Sequence, residues 1–245
     1  MNRKRNPNCQ SLVTWIGLPL SISATLLYGT LILLMQKKPG CSRGLMRLWG
    51  RAVLFSLRTK LVITGLDNVP KSGFVAAVNH TSYLDTFIYP AFLPPSTCYI
   101  GKAELEKIPL VSRCYKILGN LYIDRKGARF DQSRLFQEVL LLQPRRPIFI
   151  HPEGTRQSTS QIGPFYRGFV RISTSTGRPI VPIVSRNGEK LWPKSRALPI
   201  PGVVKVSVGV PMSLQTGESE KDFAQRVRNT MIGMLSELSE SSSSK

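Results

Sequence analysis

The hydrophobic pattern of the chain changes character near residue 60. Residues 12–35 carry no charged side chain, and about 20 apolar residues are enough for a helix to cross the hydrocarbon of a bilayer. Residues 41–58 then place Arg43, Arg47 and Arg51 at every fourth position, and apolar residues fill most of the positions between them. This spacing predicts an amphipathic helix with one basic stripe.

We expect residues 1–60 to attach the protein to a membrane. The arginines of residues 41–58 would face headgroup phosphates, and Trp49 would lie at the interface. An amphipathic helix that packs on the soluble domain is the alternative. Basic residues flank residues 12–35 on both sides, so charge does not decide between a helix that spans the bilayer and a hairpin that enters and returns.

Residues 61–240 show the pattern of an α/β domain. Helical stretches at residues 109–118 and 131–142 fall between short apolar or β-rich runs. Because such alternation is typical of strands joined by helices, we predict a mixed, partly parallel sheet flanked by helices. Apolar residues keep helical spacing from 223 to 238, and residues 241–245 indicate a flexible, solvated tail. The short runs are residues 61–64, 74–78, 98–100, 121–123, 147–150, 180–184 and 203–210.

Composition narrows the choice of partners and cofactors. The chain of 245 residues has 34 Lys and Arg against 14 Asp and Glu, a formal net charge of +20, so we expect an anionic partner. The four cysteines form no Cys-x-x-Cys pair and do not cluster with either histidine. The sequence therefore predicts neither a metal site nor a disulfide framework. It contains no phosphate loop of the Gly-x-x-x-x-Gly-Lys type, and we expect no cofactor.

The strongest candidate for catalysis follows the apolar run at residues 74–78. His80 lies where this predicted strand gives way to a helix, and Asp85 follows five residues later. A neutral imidazole that is oriented by a carboxylate is what a general base needs. Ser82 and Asp85 also form the Ser-x-x-Asp pattern of a capping box, which is a purely structural alternative.

A cation lies at or shortly after the end of each of three further runs. These cations are Lys102, Arg125 and the arginine of the segment Pro-Glu-Gly-Thr-Arg at residues 152–156. Ligands of open α/β sheets bind at the carboxyl ends of strands, so we expect the three cations and His80 to share one cleft. Taken singly, each cation would more simply be a surface charge.

Together these residues resemble the glycerolipid acyltransferase family, which includes the 1-acylglycerol-3-phosphate O-acyltransferases. Four blocks occur in the family's order, and the resemblance covers roughly residues 60–215. It implies the glycerolipid acyltransferase fold. His151 stands where the family commonly has Phe, and we interpret it as a packing substitution. The blocks are Asn-His-Thr-Ser-Tyr-Leu-Asp at residues 79–85, residues 119–125, Pro-Glu-Gly-Thr-Arg at residues 152–156 and Val-Pro-Ile-Val at residues 181–184.

The resemblance also implies a mechanism for the first and third blocks. The hydroxyl of a lysophospholipid would attack an acyl thioester, with His80 as general base and Asp85 as the group that orients and stabilises it. Backbone N–H groups around Glu153 and Gly154 would stabilise the oxyanion. Glu153 would either fix this loop or bind the glycerol, and the sequence leaves that choice open.

The remaining site residues implied by the resemblance bind the acceptor. Lys102, Arg125 and Arg156 would hold its phosphate, with the two arginines able to form paired hydrogen bonds. Thr155 belongs to the same substrate-binding segment as Arg156.

The function that we predict is transfer of a fatty acyl group to the sn-2 hydroxyl of 1-acyl-sn-glycerol-3-phosphate, giving phosphatidic acid for phospholipid biosynthesis. The donor would be acyl-CoA or acyl carrier protein, and the catalytic domain would lie on the cytoplasmic side of the inner or plasma membrane. Other acceptors remain alternatives, namely glycerol 3-phosphate, another lysophospholipid or a lyso-ornithine lipid. A non-catalytic, membrane-tethered basic binding protein is the alternative from a different class. We expect no nucleic acid partner.

Overall fold

The computed structural model describes residues 13–36, 39–71, 73–123, 132–157, 159 and 161–240. Arg125 and the tail at residues 241–245 lie outside this part of the chain. The helices are α1 (Leu18–Leu34), α2 (Pro39–Ser56), α3 (Asp85–Ile88), α4 (Pro109–Leu118), α5 (Gln132–Leu140), α6 (Gly168–Thr176), α7 (Gly188–Leu191) and α8 (Glu220–Glu240). The strands are β1 (Thr59–Thr64), β2 (Val75–Val78), β3 (Cys98–Lys102), β4 (Leu121–Ile123), β5 (Ile148–Ile150), β6 (Ile180–Arg186) and β7 (Gly202–Val208).

The seven strands form one mixed sheet in the order β1-β7-β6-β2-β5-β3-β4. Neighbouring strands are parallel except for the antiparallel pair β6 and β7. Each of the seven short runs identified in the sequence overlaps one of these strands, so the predicted fold class is confirmed. The carboxyl ends of β6, β2, β5, β3 and β4 all lie at one edge of the sheet, which is where the candidate residues were expected.

Helices cover both faces of the sheet, and the central strand β2 shows why. Its four residues are all buried, and successive side chains point to opposite faces. Ala76 and Val78 belong to the core that includes Val53 of α2. Val75 and Ala77 belong to the second core, beneath α5, α6 and α8. A strand that is apolar at every position is the pattern of a sheet buried on both sides.

The two N-terminal helices form an antiparallel hairpin that packs on the domain. Ser42 donates a hydrogen bond to the carbonyl of Met35 at 3.3 Å, and further along Tyr28 stacks on Trp49 with 4.9 Å between ring centroids. The contacts thus run in opposite directions along the two helices. α1 also lies against α4, because a Cβ at Gly29 would approach a leucine of α4 to 3.4 Å.

Most of the surface of α1 remains uncovered and apolar. Leu20 is 54% exposed, Leu27 61% and Leu34 75%. Residues Trp15–Leu34 are long and apolar enough to cross a membrane, which suggests membrane association. The boundary that we draw at residue 60 stays a prediction.

The arginine stripe of α2 faces the domain, contrary to our prediction that it contacts headgroup phosphates. Arg43 donates to the carbonyl of Leu118 at 3.4 Å, Arg47 to that of Leu93 at 3.0 Å, and Arg51 donates to another carbonyl of the α3–β3 connection at 3.1 Å. These carbonyls lie at the ends of helical segments, where backbone oxygens lack partners within the helix. The packing alternative is therefore correct for this stripe.

Candidate active site

The connection after β2 is fixed by an asparagine before it reaches the candidate base. Asn79 is 1% exposed. Its amide donates to the carbonyl of Ser185 in β6 at 3.0 Å, and its side-chain oxygen accepts the Ser185 N–H at 2.7 Å. Paired hydrogen bonds to a neighbouring strand hold the backbone at the point where His80 leaves the sheet. Sequence reasoning did not identify Ser185 as a partner, because the two residues are 106 positions apart.

His80 and Asp85 are brought together as the sequence predicts. His80 Nδ1 lies 2.8 Å from Asp85 Oδ2, and this oxygen also accepts the backbone N–H groups of Thr81 at 3.0 Å and Ser82 at 3.1 Å. Ser82 Oγ in turn accepts the N–H of Leu84 at 3.1 Å. The capping and catalytic interpretations are therefore compatible, because one carboxylate both closes the turn and contacts the imidazole.

Burial makes Asp85 an unusual carboxylic acid. Desolvation raises its pKa to about 6, although His151, the two backbone N–H groups and Arg156 all lower it. The group is 3% exposed. At neutral pH it is ionised and able to stabilise an imidazolium, and it becomes protonated as the pH falls through about 6.

His151 lies directly on the face of His80. The two rings are stacked with 3.9 Å between centroids and 14° between planes. His151 Nδ1 is 2.9 Å from the carbonyl oxygen of Val78, and since a carbonyl can only accept, Nδ1 carries the hydrogen. The Phe149 and His151 rings are nearly perpendicular, with 4.8 Å between their centroids. These ring contacts fit the packing role that we predicted, but they also place a second titratable group against the first.

His80, Asp85 and His151 come close enough to raise the question of a metal ion, with ligand atoms within 4.8 Å of one another. The ring geometry argues against one. Lone pairs of imidazole lie in the ring plane, and planes only 14° apart direct them side by side instead of toward one tetrahedral centre. In addition, His151 Nδ1 and Asp85 Oδ2 are engaged in hydrogen bonds. That the site functions without a metal stays a prediction.

Glu153 fixes the loop that carries His80. Its Oε2 accepts the backbone N–H of His80 at 2.7 Å, and its Oε1 accepts that of Gly163 at 2.9 Å. Burial raises the pKa of Glu153 to about 7, and the two N–H donors oppose this shift. The Gln157 N–H donates to the His80 carbonyl at 2.8 Å. Of the two roles that the sequence left open for Glu153, fixing the loop is the one its hydrogen bonds perform.

An arginine of the C-terminal helix holds the segment at Gly163, to which Glu153 is also hydrogen-bonded. Arg228 in α8 donates to the carbonyls of Gly163 and Ile162, both at 2.8 Å. Its positive charge also lowers the pKa of Glu153. Nothing in the sequence connects Arg228 with the site, because it lies 65 residues beyond Gly163 and follows no motif.

Gly154 occupies a backbone conformation that favours glycine, with φ of 67°. Its N–H donates to the carbonyl of His151 at 3.0 Å and so closes a tight turn. This N–H is therefore already engaged within the turn, and stabilisation of an oxyanion by backbone N–H groups around Glu153 and Gly154 stays a prediction. Thr155, the next residue, is exposed at the rim of the site.

The structure describes two of the three predicted cations, Arg156 and Lys102. The guanidinium of Arg156 lies 3.7 Å from the ring centroid of Tyr83, close enough to Asp85 to lower its pKa. Lys102 is the exposed last residue of β3, two strands from β2 and so about 10 Å across the sheet. Arg125 lies outside the described residues. The structure thus brings one of the three cations to the His80 side of the cleft and leaves Lys102 at the same sheet edge.

An apolar cavity of about 170 Å³ opens beside His151. It lies beside the turn at Gly154 and is bounded by apolar side chains of β3, β4, β5, α5 and α6. Its walls include Ile100, Ile123, Leu135, Phe136, Ile150 and Phe169. A hydrocarbon chain would be desolvated there without burying a polar group.

Residues 60–186, just over half of the chain, match the sequence profile of the Acyltransferase family. The chain belongs to this family. It is 28% identical over 179 residues to the 1-acyl-sn-glycerol-3-phosphate acyltransferase of Pseudomonas aeruginosa, a match that covers 73% of this chain and 68% of that protein. It is 27% identical over 181 residues to the protein of the same name from Saccharomyces cerevisiae, with 72% of this chain and 60% of that protein covered.

A solved structure shows the same fold. The 1-acyl-sn-glycerophosphate acyltransferase PlsC from Thermotoga maritima superposes with a TM-score of 0.76, covering 91% of this chain and 97% of that one at 23% sequence identity. The agreement extends beyond the matched family segment, so it includes part of the N-terminal hairpin or the C-terminal helix.

Proposed function

We propose that this protein transfers an acyl group from a thioester donor to the sn-2 hydroxyl of 1-acyl-sn-glycerol-3-phosphate, giving phosphatidic acid. The observation that carries the proposal is the 2.8 Å contact between His80 and Asp85 within an acyltransferase domain. The names of the Pseudomonas and Saccharomyces relatives support the choice of acceptor.

His80 acts as the general base. Because its Nδ1 donates to Asp85, the neutral ring has its lone pair on Nε2, and this nitrogen takes the proton of the attacking hydroxyl. The oxygen bonds to the thioester carbonyl carbon, the C–S bond breaks, and the departing thiolate receives the proton back from His80. Asp85 stabilises the imidazolium during this exchange. No covalent acyl-enzyme forms.

The rigid support of the base is part of the catalytic design. Glu153 accepts the His80 N–H, and the Gln157 N–H donates to the His80 carbonyl. These two hydrogen bonds fix the backbone that carries the imidazole. Fixing a base relative to its substrate contributes to catalysis by removing the entropy cost of alignment. We assign Glu153 to this positioning role.

Arg156 binds the phosphate of the acceptor. It is the predicted cation that the described geometry brings nearest to the base, and the Tyr83 ring beneath it orients the guanidinium. Lys102 extends the positive potential along the same sheet edge, and Thr155 adds a hydroxyl at the rim. We propose from the sequence that Arg125 also contacts the phosphate. The acyl chain of the donor occupies the cavity beside His151.

Both thioester donors suit a chain with a formal net charge of +20, since CoA carries phosphates and acyl carrier proteins are acidic. The exposed apolar face of α1 rests in the membrane, and the catalytic domain lies on the cytoplasmic side, where these donors occur. Protease added to sealed vesicles of known orientation tests this placement.

The experiment that tests the function measures phosphatidic acid formation by the purified protein with lysophosphatidate and each donor. His80→Ala should lower the rate by about 10² to 10⁴-fold, the usual contribution of general base catalysis. A panel of glycerol 3-phosphate, other lysophospholipids and a lyso-ornithine lipid tests the acceptor. The proposal fails if the wild type does not acylate lysophosphatidate, or if His80→Ala retains full activity.

A further inference from the structure

A second apolar crevice, of about 200 Å³, lies between the N-terminal hairpin and the domain. Helix α1 contributes one wall, and α2, α3 and the segment after α7 contribute the others. The apolar lining residues are Leu18, Ile22, Leu26, Val53, Phe87 and Trp192. It is separate from the cavity beside His151, with which it shares no lining residue.

The polar groups in this lining are already bonded. Ser21 donates its hydroxyl to the carbonyl of Leu18 at 2.8 Å. Thr25 donates to the carbonyl of Ser21 at 2.8 Å and accepts the indole N–H of Trp49 at 3.1 Å. The walls therefore present hydrocarbon, and the ligand that suits them is an alkyl chain.

Two aromatic rings connect the crevice with Arg156. The Trp192 carbonyl accepts the Tyr83 N–H at 3.1 Å, and the Trp192 and Tyr83 rings lie 5.5 Å apart. The guanidinium of Arg156 also lies against the Tyr83 ring, at 3.7 Å from its centroid. Phe87, which lines the crevice, lies two residues after Asp85 in α3. A cation, two aromatic rings and an apolar crevice thus follow one another beside the candidate base.

We propose that the crevice binds the 1-acyl chain of the acceptor while Arg156 binds its phosphate. A lysophosphatidate has the same succession of anion, glycerol and hydrocarbon, so its charge and apolarity match the site along its length. The open side of the crevice is continuous with exposed residues of α1, where Ile22 is 53% and Leu26 54% exposed. A lipid could therefore enter from the membrane without its chain crossing water. This inference rests on the proposed function and adds the binding site for the acceptor chain.

Two tryptophan substitutions in α1 test the proposal. Ile22→Trp narrows the crevice, whereas Leu27→Trp adds the same bulk at a position that is 61% exposed and outside the lining. Both variants gain a similar affinity for membranes. With a long-chain lysophosphatidate, Ile22→Trp should raise KM about tenfold, as expected if contact with about two methylenes is lost. A water-soluble short-chain lysophosphatidate and the acyl donor should keep their KM values.

Equal ratios of long-chain to short-chain KM in the two variants would overturn the proposal. If Ile22→Trp does not fold, Leu26→Trp replaces it at the same crevice. The wild type gives an independent measurement. A lysophosphatidate with a diazirine at the end of its acyl chain should label α1 or Trp192 on illumination, and labelling confined to the walls beside His151 would also contradict the assignment. Loss of all acyl transfer in the wild type would instead overturn the proposed function.

Discussion

The carboxyl edge of β2 and β5 and the N-terminal hairpin use side chains in opposite ways. At the sheet edge, buried polar groups such as Asn79, Asp85 and Glu153 fix the backbone through hydrogen bonds of 2.7 to 3.1 Å. In the hairpin, α1 attaches through small residues such as Ser21 and Gly29, which are its buried positions together with one isoleucine. Its other large apolar residues are partly or largely exposed. Acid–base chemistry requires fixed distances, whereas contact with lipid requires area and little geometry.

The largest expected effect concerns the hydrogen-bonded residues at the carboxyl edge of β2 and β5. Asp85→Asn keeps an oxygen that can accept from His80 but removes the charge that stabilises the imidazolium. We expect kcat to fall by about 10³ to 10⁴-fold, in line with the loss of the carboxylate from other His–Asp pairs. Initial rates at saturating concentrations of both substrates measure it.

A measurement of stability distinguishes this loss of kcat from loss of the fold. The pKa of Asp85 is raised to about 6, so between the ordinary value and 6 the folded state binds a proton that the unfolded state has released. The charged carboxylate therefore reduces stability as the pH rises through this range. Asp85→Asn should unfold at the wild-type temperature or above it at pH 8, and early unfolding would mean that the rate loss is structural.

The next prediction concerns Arg228 and its effect on the pKa of Glu153. Arg228→Gln removes a charge that lowers the pKa of Glu153, which is about 7, so this pKa should rise and the carboxylate should be lost at higher pH. We expect kcat/KM to fall about tenfold at pH 7, equivalent to about 1.4 kcal/mol, and its acidic limb to move to higher pH. Arg228→Lys keeps the positive charge. The acidic limb of kcat/KM should therefore return most of the way to its wild-type pH.

Arg226 supplies the matched control on the same helix. It pairs with Glu218 at 2.7 Å, away from the catalytic loop. Arg226→Gln should leave the pH profile of kcat/KM at its wild-type position, even if the protein becomes slightly less stable. Superimposable profiles for Arg228→Gln and the wild type would remove Arg228 from the positioning network.

The same comparison explains which features the sequence could predict. The strands and the His80–Asp85 pair depend on local patterns, namely apolar runs and a five-residue spacing across one turn. The links from Asn79 to Ser185 and from Arg228 to the Gly163 loop join distant segments, and a single sequence carries no signal for them. The hydrogen bond from the Gly154 N–H to the His151 carbonyl was not predicted either, because the direction of this N–H depends on the turn that the backbone adopts.

The arginine stripe of α2 shows a further limit. A spacing of four residues identifies one face of a helix, but it does not say whether phosphates or carbonyl oxygens meet that face. Both are acceptors, and both favour arginine. The apolar pattern of residues 12–35 also does not predict how α1 packs against α4. A small residue such as Gly29 does not indicate a helix contact until its neighbours are known.

A substitution within the stripe tests its corrected role. Arg47→Gln removes hydrogen bonds to the Leu93 and Phe92 carbonyls, so we expect the free energy of unfolding to fall by about 1.5 to 3 kcal/mol, the range for bonds to a charged group. Binding to anionic vesicles should change little, because this guanidinium faces the domain. Denaturant titration and vesicle sedimentation measure the two effects. Reduced vesicle binding without reduced stability would restore the headgroup interpretation.

The smallest expected effect concerns the second imidazole. His151→Phe keeps a ring of similar size on His80, so activity at pH 8 should stay within about tenfold of the wild type, as for a volume-conserving exchange. Positive charge on His151 lowers the pKa of Asp85, and its loss should raise that pKa and move the acidic limb of kcat/KM to higher pH. Since the chain has only two histidines, the variant also leaves His80 as the single imidazole whose titration can be followed by NMR. A loss at pH 8 as large as that of His80→Ala would contradict the packing role and place His151 among the groups that touch the reacting atoms.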